Sequence, residues 1–389
     1  MKINITSLLM SAALAAPGAM WAQDKADGGY TFTMQHQVPT TSVKNQSRSG
    51  TCWSFAASSF IETELLRTKQ GEFDISEMYF VHHAYNNKAQ KYIRLHGAYH
   101  FGPGGQAHDV FDVLRQHGMV TESEYPGLSY GTENHQHGEL NQMLKSMLEA
   151  SLKKPNGELS EAWSKAIGAV LSTYLGPLPN AKNSPLSRVK FNPDDYVEIT
   201  SYANYPFYQA IDLEIPDNWA HRLYHNVPLD ELMAIMDYAL SNGYSICWDG
   251  DVSERGFSRD KCVAVLPIEK LADMPQAQRD RLTGLSEKER MAKLYAFEGP
   301  VPEVVVDQKN RQRTFDNLTS TDDHLMHLTG IAVDQNGTRY FLTKNSWGET
   351  GPYKGYLYMS ESFVKMKTVA IMVHKDAIPA TIAKKMGLK

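Results

Sequence analysis

The chain has 389 residues, 42% apolar and 21% charged, with 27 Gly and 18 Pro, the mix of a globular protein able to close a large core. This excludes collagen-like, low-complexity and wholly disordered readings, and no internal stretch reaches the roughly 18 consecutive apolar residues of a membrane helix, so no membrane insertion is expected. A net charge of −5 without a Lys/Arg-rich run argues against a nucleic-acid partner held by phosphate contacts.

At the N-terminus, Lys2 precedes an apolar segment from Leu8 to Ala16, then Pro17, Gly18 and small residues up to Ala22. That order predicts a secretory signal peptide cleaved after Ala22, and hence an exported protein, periplasmic or secreted, although Met20 fits a small-x-small site poorly. Only three cysteines occur, Cys52, Cys247 and Cys262, so at most one disulfide can form. Whether Cys247 and Cys262 pair stays open, because spacing does not give geometry. Cys52 is then the leftover thiol, and an exposed thiol in an exported chain needs a chemical reason.

Polar, Gly-containing residues lead into Cys52-Trp53-Ser54-Phe55. Trp53, Ala56, Ala57, Phe60, Ile61, Glu64 and Leu65 recur at helical spacing and all but Glu64 are apolar, which predicts a helix starting at Cys52 with one buried stripe. Unpaired N–H groups and the positive end of the helix dipole favour a thiolate there, the attacking form of the group. A small core cysteine is the equal alternative on this segment alone. Gln46, six residues upstream, would bring an amide donor that stabilises an oxyanion, or is an exposed loop side chain.

Further along, Gly104-Gly105 precedes a helical stretch from Ala107 to Gln116. Gly138 to Leu175 reads as amphipathic helices, with Leu140, Met143, Leu144, Met147 and Leu148 on one face. Tyr224 to Leu232 leads another helix and Tyr244 to Val252 reads as a strand. An apolar run from His324 to Val333, the turn signal Asn336-Gly337 and a return run from Thr338 to Lys344 predict a hairpin. Its far ends carry His324 and Asn345, so the amide can accept from the imidazole N–H. His327, three residues on, faces the other way on a strand and competes for the role.

These motifs resemble the papain-like cysteine peptidases (family C1). Gln46, Cys52 and Trp53 stand at that family's spacing, and Asn345-Ser346-Trp347-Gly348 matches its Asn-Ser-Trp-Gly signature. The resemblance implies an α+β papain-like fold, a helical half carrying Cys52 and a β-barrel-like half carrying His324 and Asn345. It implies Cys52 as nucleophile, His324 as base and later acid, Asn345 as its orienter, and Gln46 in the oxyanion site. Trp347 would cover the Asn–His hydrogen bond, and Gly104 and Gly105 would bind a peptide substrate as an added strand. No cofactor follows from it. Six histidines between His82 and His117 lack metal-ligand spacing, so no metal is expected either.

His324 and Asn345 lie roughly 270 and 290 positions beyond Cys52, about twice the papain spacing, so the fold carries a large insertion. The element order resembles the bleomycin hydrolase and aminopeptidase C branch, which implies an aminopeptidase and a homo-oligomer, a hexamer by that likeness. Three departures stand out. The branch is usually cytosolic, Ser49 replaces the family's upstream Cys, and the C-terminal arm that limits cleavage to N-terminal residues is shorter here. An endopeptidase with an open cleft is therefore the second reading, and an inactive peptide-binding protein the third. The expected organisation is a leader over 1–22, a helical half over 23–135, a mainly helical insertion over 136–240, a β-rich half over 241–376 and a tail over 377–389.

Overall fold

In the computed structural model, residues 29–388 and the backbone of 23–25 are described, so the expected leader lies outside the described residues. The chain opens with β1 (Gln23–Lys25) and β2 (Thr31–Gln37), then turns helical. α1 (Cys52–Arg67), α2 (Glu77–Arg94), α3 (Ala107–His117), α4 (Gly138–Leu152) and α5 (Ala162–Leu175) follow. The stripe read from the sequence is buried in α1, but so are Ser54, Ser58, Glu62 and Thr63 between its apolar positions. α1 is enclosed on all sides because it packs on α2 and α3 and also against the sheet. Glu64, the polar exception, is tolerated in the interior by the Arg67 guanidinium at 2.7 Å and the Tyr196 hydroxyl at 2.9 Å. Ser76 starts α2 by accepting from the Tyr79 N–H, and Gln106 with Asp109 closes a capping box on α3. On α4, Leu140, Leu144 and Leu148 are buried while Met143 is exposed, a narrower stripe than expected.

The remaining elements are β3 (Tyr196–Thr200), β4 (Ala210–Asp212), β5 (Leu223–Asn226), α6 (Leu229–Ser241), β6 (Ile246–Gly250), β7 (Phe257–Ser258) and β8 (Val263–Ala264). After them come α7 (Gln276–Leu282), α8 (Glu287–Leu294), α9 (Gln308–Asp316), β9 (His324–Asp334), β10 (Arg339–Lys344) and β11 (Tyr356–Ser360). α10 (Glu361–Lys367), β12 (Thr368–His374) and α11 (Ala380–Lys385) complete the chain. The stretch 136–240 thus holds α4, α5 and α6 together with three strands that extend the sheet.

The strands run in the order β4-β5-β3-β12-β6-β9-β10-β11-β8-β7, with β2 also on β9 and β1 on β2. The end strands β4 and β7 do not pair, so this sheet is open rather than closed into a barrel. β9 is its axis, pairing with β6 along its first half, β2 along its second and β10 on the other edge. Ten of its eleven residues are buried, which is why it reads as a continuous apolar run rather than an alternating one. Asp334 holds the hairpin turn by accepting from the Asn336 and Thr338 N–H groups, and Gly337 takes φ 81°. At the other end of the sheet half, α11 joins the main apolar cluster through Ile382, Ala383 and Met386, and Lys385 pairs with Glu231 of α6. All three cysteines are free, which answers the question left open for Cys247 and Cys262.

Candidate active site

Cys52 is the first residue of α1, so its backbone N–H has no intrahelical acceptor. Its side chain is only 8% exposed. The thiol lies against the backbone N–H of Leu325, the residue after His324 on β9. Burial pushes the thiol up to about 12, helped by the nearby carboxyl groups of Asp217, Asp249 and Asp322, while the Leu325 N–H pulls the other way. The thiolate that a helix N-terminus would favour in isolation is therefore outweighed by desolvation in the resting site.

The ladder between β9 and β10 ends with Lys344 opposite His327, so Asn345 is past the last pair. Its side chain closes the gap: His324 Nε2 and Asn345 Oδ1 are 2.9 Å apart. An amide oxygen only accepts, so Nε2 carries the hydrogen and Nδ1 is left as the basic nitrogen. Asn345 Oδ1 also accepts from the Ser346 N–H at 2.7 Å, which fixes the amide orientation. Trp347 stacks on His324 at 5.0 Å between ring centroids, and the Arg259 guanidinium also lies over the indole. Burial pulls His324 down to about 4, against the opposing effects of Asn345 and Asp323. His327 is also buried, but its Nδ1 meets Ser59 on α1 at 3.0 Å and its ring packs on Phe60.

Gln46 is buried, not an exposed loop side chain. Its Oε1 accepts from the Ser346 hydroxyl at 2.6 Å, and its own N–H donates to the Ser346 carbonyl at 2.8 Å. With the oxygen so held, the amide NH₂ is turned away from Ser346. The Gly348 N–H donates to the Lys44 carbonyl at 3.0 Å, so the Gln46 segment and the Asn345 segment are zipped together. Ser49 hydrogen-bonds Thr51 and is fully enclosed, filling its place without a disulfide.

Gly105 lies against Trp53, whose indole N–H donates to the Pro103 carbonyl at 3.0 Å. A Cβ on Gly105 would sit 2.5 Å from Asp109 Oδ2 and 3.0 Å from the Trp53 ring, so the protein's own packing already demands glycine there. At Gly104 a Cβ would collide with the Asp217 carboxylate. Asp217, Asp249 and Asp322 gather at this edge, and sequence reasoning missed all three. Asp322 was in view two residues before His324, but nothing local marks Asp217, which arrives from a loop more than a hundred positions away. Among the described residues no cluster of His, Cys, Asp or Glu is arranged to hold a metal ion.

Comparison with known proteins places this geometry. The papain family cysteine protease pattern matches residues 31–174, and the peptidase C1-like family pattern matches residues 272–388. The aminopeptidase G of Lactobacillus delbrueckii subsp. lactis is 22% identical over 94% of this chain and 89% of its own length. Bleomycin hydrolase of Gallus gallus is 23% identical over 90% and 84%. The crystal structure of PepW from Lactobacillus rhamnosis superposes with a TM-score of 0.67 at 19% identity, covering 91% of this chain and 84% of that one, a likeness of fold. The two patterns cover the Cys52 segment and the His324–Asn345 segment separately, and with these relatives they support a papain-like C1 cysteine peptidase of the aminopeptidase C and bleomycin hydrolase branch.

Proposed function

We propose that the protein is an exported aminopeptidase that cleaves peptide bonds through Cys52, His324 and Asn345. The observation that carries this reading is the His324 Nε2–Asn345 Oδ1 hydrogen bond at 2.9 Å, which leaves Nδ1 as a base on the strand that the Cys52 thiol touches. Burial resists charging either group alone. Passing the proton from sulfur to Nδ1 instead makes an adjacent pair of opposite charges, whose attraction is on the order of 4 kcal/mol at 4 Å for an effective dielectric near 20. Sulfur then adds to the substrate carbonyl carbon, and the resulting oxyanion accepts from the Gln46 amide and the Cys52 backbone N–H. His324 returns the proton to the leaving amine as the C–N bond breaks, leaving an acyl group on sulfur. It next takes a proton from water, hydroxide adds to the acyl carbon, and the C–S bond breaks to release the N-terminal amino acid as the thiolate takes that proton back from His324.

The names of the relatives support the amino-terminal mode. One observation favours endopeptidase action instead. The described C-terminal helix α11 pairs Lys385 with Glu231 of α6 and buries its apolar residues in the sheet-half cluster, which does not include Cys52. Mass-spectrometric mapping of products from a long unmodified peptide separates the two. Stepwise loss from the N-terminus supports the aminopeptidase, and internal fragments from the first time point overturn it. Export rests on the Lys2 to Ala22 pattern. The expected mature N-terminus is Gln23, and a cell-derived protein that retains Met1 would contradict export.

A further inference from the structure

Three carboxyl groups from distant parts of the chain converge beside the nucleophile. Asp217 lies on the loop before β5 with its carboxylate against Gly104. Asp322 accepts from the Gln106 side-chain amide at 3.0 Å and from the Asp217 backbone N–H at 3.3 Å. Asp249 stands on β6 opposite Leu325, only 3% exposed; the Asp322 carboxyl and the Gln106 amide lie beside it, but neither of its carboxyl oxygens is held in a well-formed hydrogen bond. Asp217 and Asp322 keep partial exposure, so the group opens to solvent on one side with Asp249 beneath. The Cys52 sulfur feels all three.

No ion pair among the described residues involves any of these carboxyl groups. Lys88 faces Asp217 and Asp322 and His100 faces Asp217, but the Lys88 Nζ donates to the Gly102 and Gly104 carbonyls rather than to a carboxylate. Burial and mutual repulsion hold Asp322 up to about 7 and raise Asp249 and Asp217 as well. Ionising the whole group is costly until further positive charge offsets it. A protonated amine, with three N–H donors on a compact charge, matches it in sign, size and hydrogen-bonding capacity.

We propose that Asp217, Asp249 and Asp322 receive a protonated amine of the bound peptide, in the first place its free α-ammonium, and thereby set which bond is offered to Cys52. The proposal rests on Cys52 as the nucleophile. A basic side chain near the cut bond would supply the same chemistry, and the test separates the two sources.

The experiment compares an alanine-rich pentapeptide with its N-acetyl twin, and an N-acetyl peptide bearing lysine with its norleucine twin. Each is titrated calorimetrically into Cys52→Ala protein and assayed for hydrolysis by wild type. The expected result is at least tenfold tighter binding and higher kcat/KM for the unblocked peptide. Asp217→Asn and Asp322→Asn, nearly isosteric changes, should each cut that preference at least fivefold. A lysine-over-norleucine preference that falls in the same variants assigns the amine to a side chain. Equal binding of both members of each pair, or preferences untouched by either variant, overturns the proposal. Hydrolysis that survives Cys52→Ala overturns the nucleophile itself, an outcome the binding titration does not share.

Discussion

At the candidate site each residue's chemistry is set by a neighbour that limits its options. Asn345 can only accept, so the His324 tautomer follows, and Ser346 orients the Asn345 amide through its N–H and Gln46 through its hydroxyl. Asn345→Ala should lower kcat by about 10- to 100-fold with little change in KM, since it positions the base rather than binding substrate. Steady-state kinetics would contradict this if KM carried the effect. The two pKa shifts define a pH window. His324 is lowered to about 4, so the pair takes up its second proton only well below the ordinary imidazole value of 6.5. Cys52 is raised to about 12, so the pair loses its last proton only well above neutrality. The singly protonated pair, the reactive form, should give a plateau from at least pH 5 to pH 9 in kcat/KM for the N-acetyl peptide, whose binding does not draw on Asp322. An acid limb near 6.5 would show that the imidazole is more solvated than its surroundings indicate.

At the scale of elements, the features legible in the sequence were those encoded locally. The α1 stripe, the Asn336-Gly337 turn and the long apolar run of β9 each carry their own periodicity or turn chemistry, and these position Cys52, His324 and Asn345. β4 and β5 are three and four residues long, too short to show alternation, so their place in the sheet was not legible. Nor was the meeting of Asp217 with Gly104, which depends on tertiary packing alone. The bulged pairing of β2 with β9 is a sharp case of such packing. A Cβ on Gly330 would lie 2.5 Å from the His36 carbonyl oxygen and close to Met34 and Gln37. Gly330→Ala should therefore destabilise the fold by about 1–3 kcal/mol, seen as a lower denaturation midpoint. An unchanged midpoint would mean that β2 is not held against β9 as described.

For the whole molecule, the helical half carries a set of buried histidines that no metal or acid explains. Burial lowers His82 and His135 to about 4 and His83 and His137 to about 3. Each binds a proton in the unfolded chain near 6.5 but resists one when folded, so stability is lost as pH falls from 6.5 toward the folded values. His137→Gln should remove about 2 kcal/mol of the loss between pH 6.5 and 4.5, measured by denaturant titration at both pH values. Identical pH slopes for the two proteins would contradict it. The account as a whole turns on one covalent event, an acyl group carried on Cys52 while His324 waits to activate water. Acid-quenching the wild-type protein during turnover of an unblocked peptide and mapping the modified fragment by mass spectrometry tests it directly. The prediction is an acyl mass increment on the fragment holding Cys52, absent with Cys52→Ala, whose turnover falls by at least about 10³-fold. An increment on Cys247 or Cys262, or undiminished turnover without the Cys52 sulfur, would contradict it.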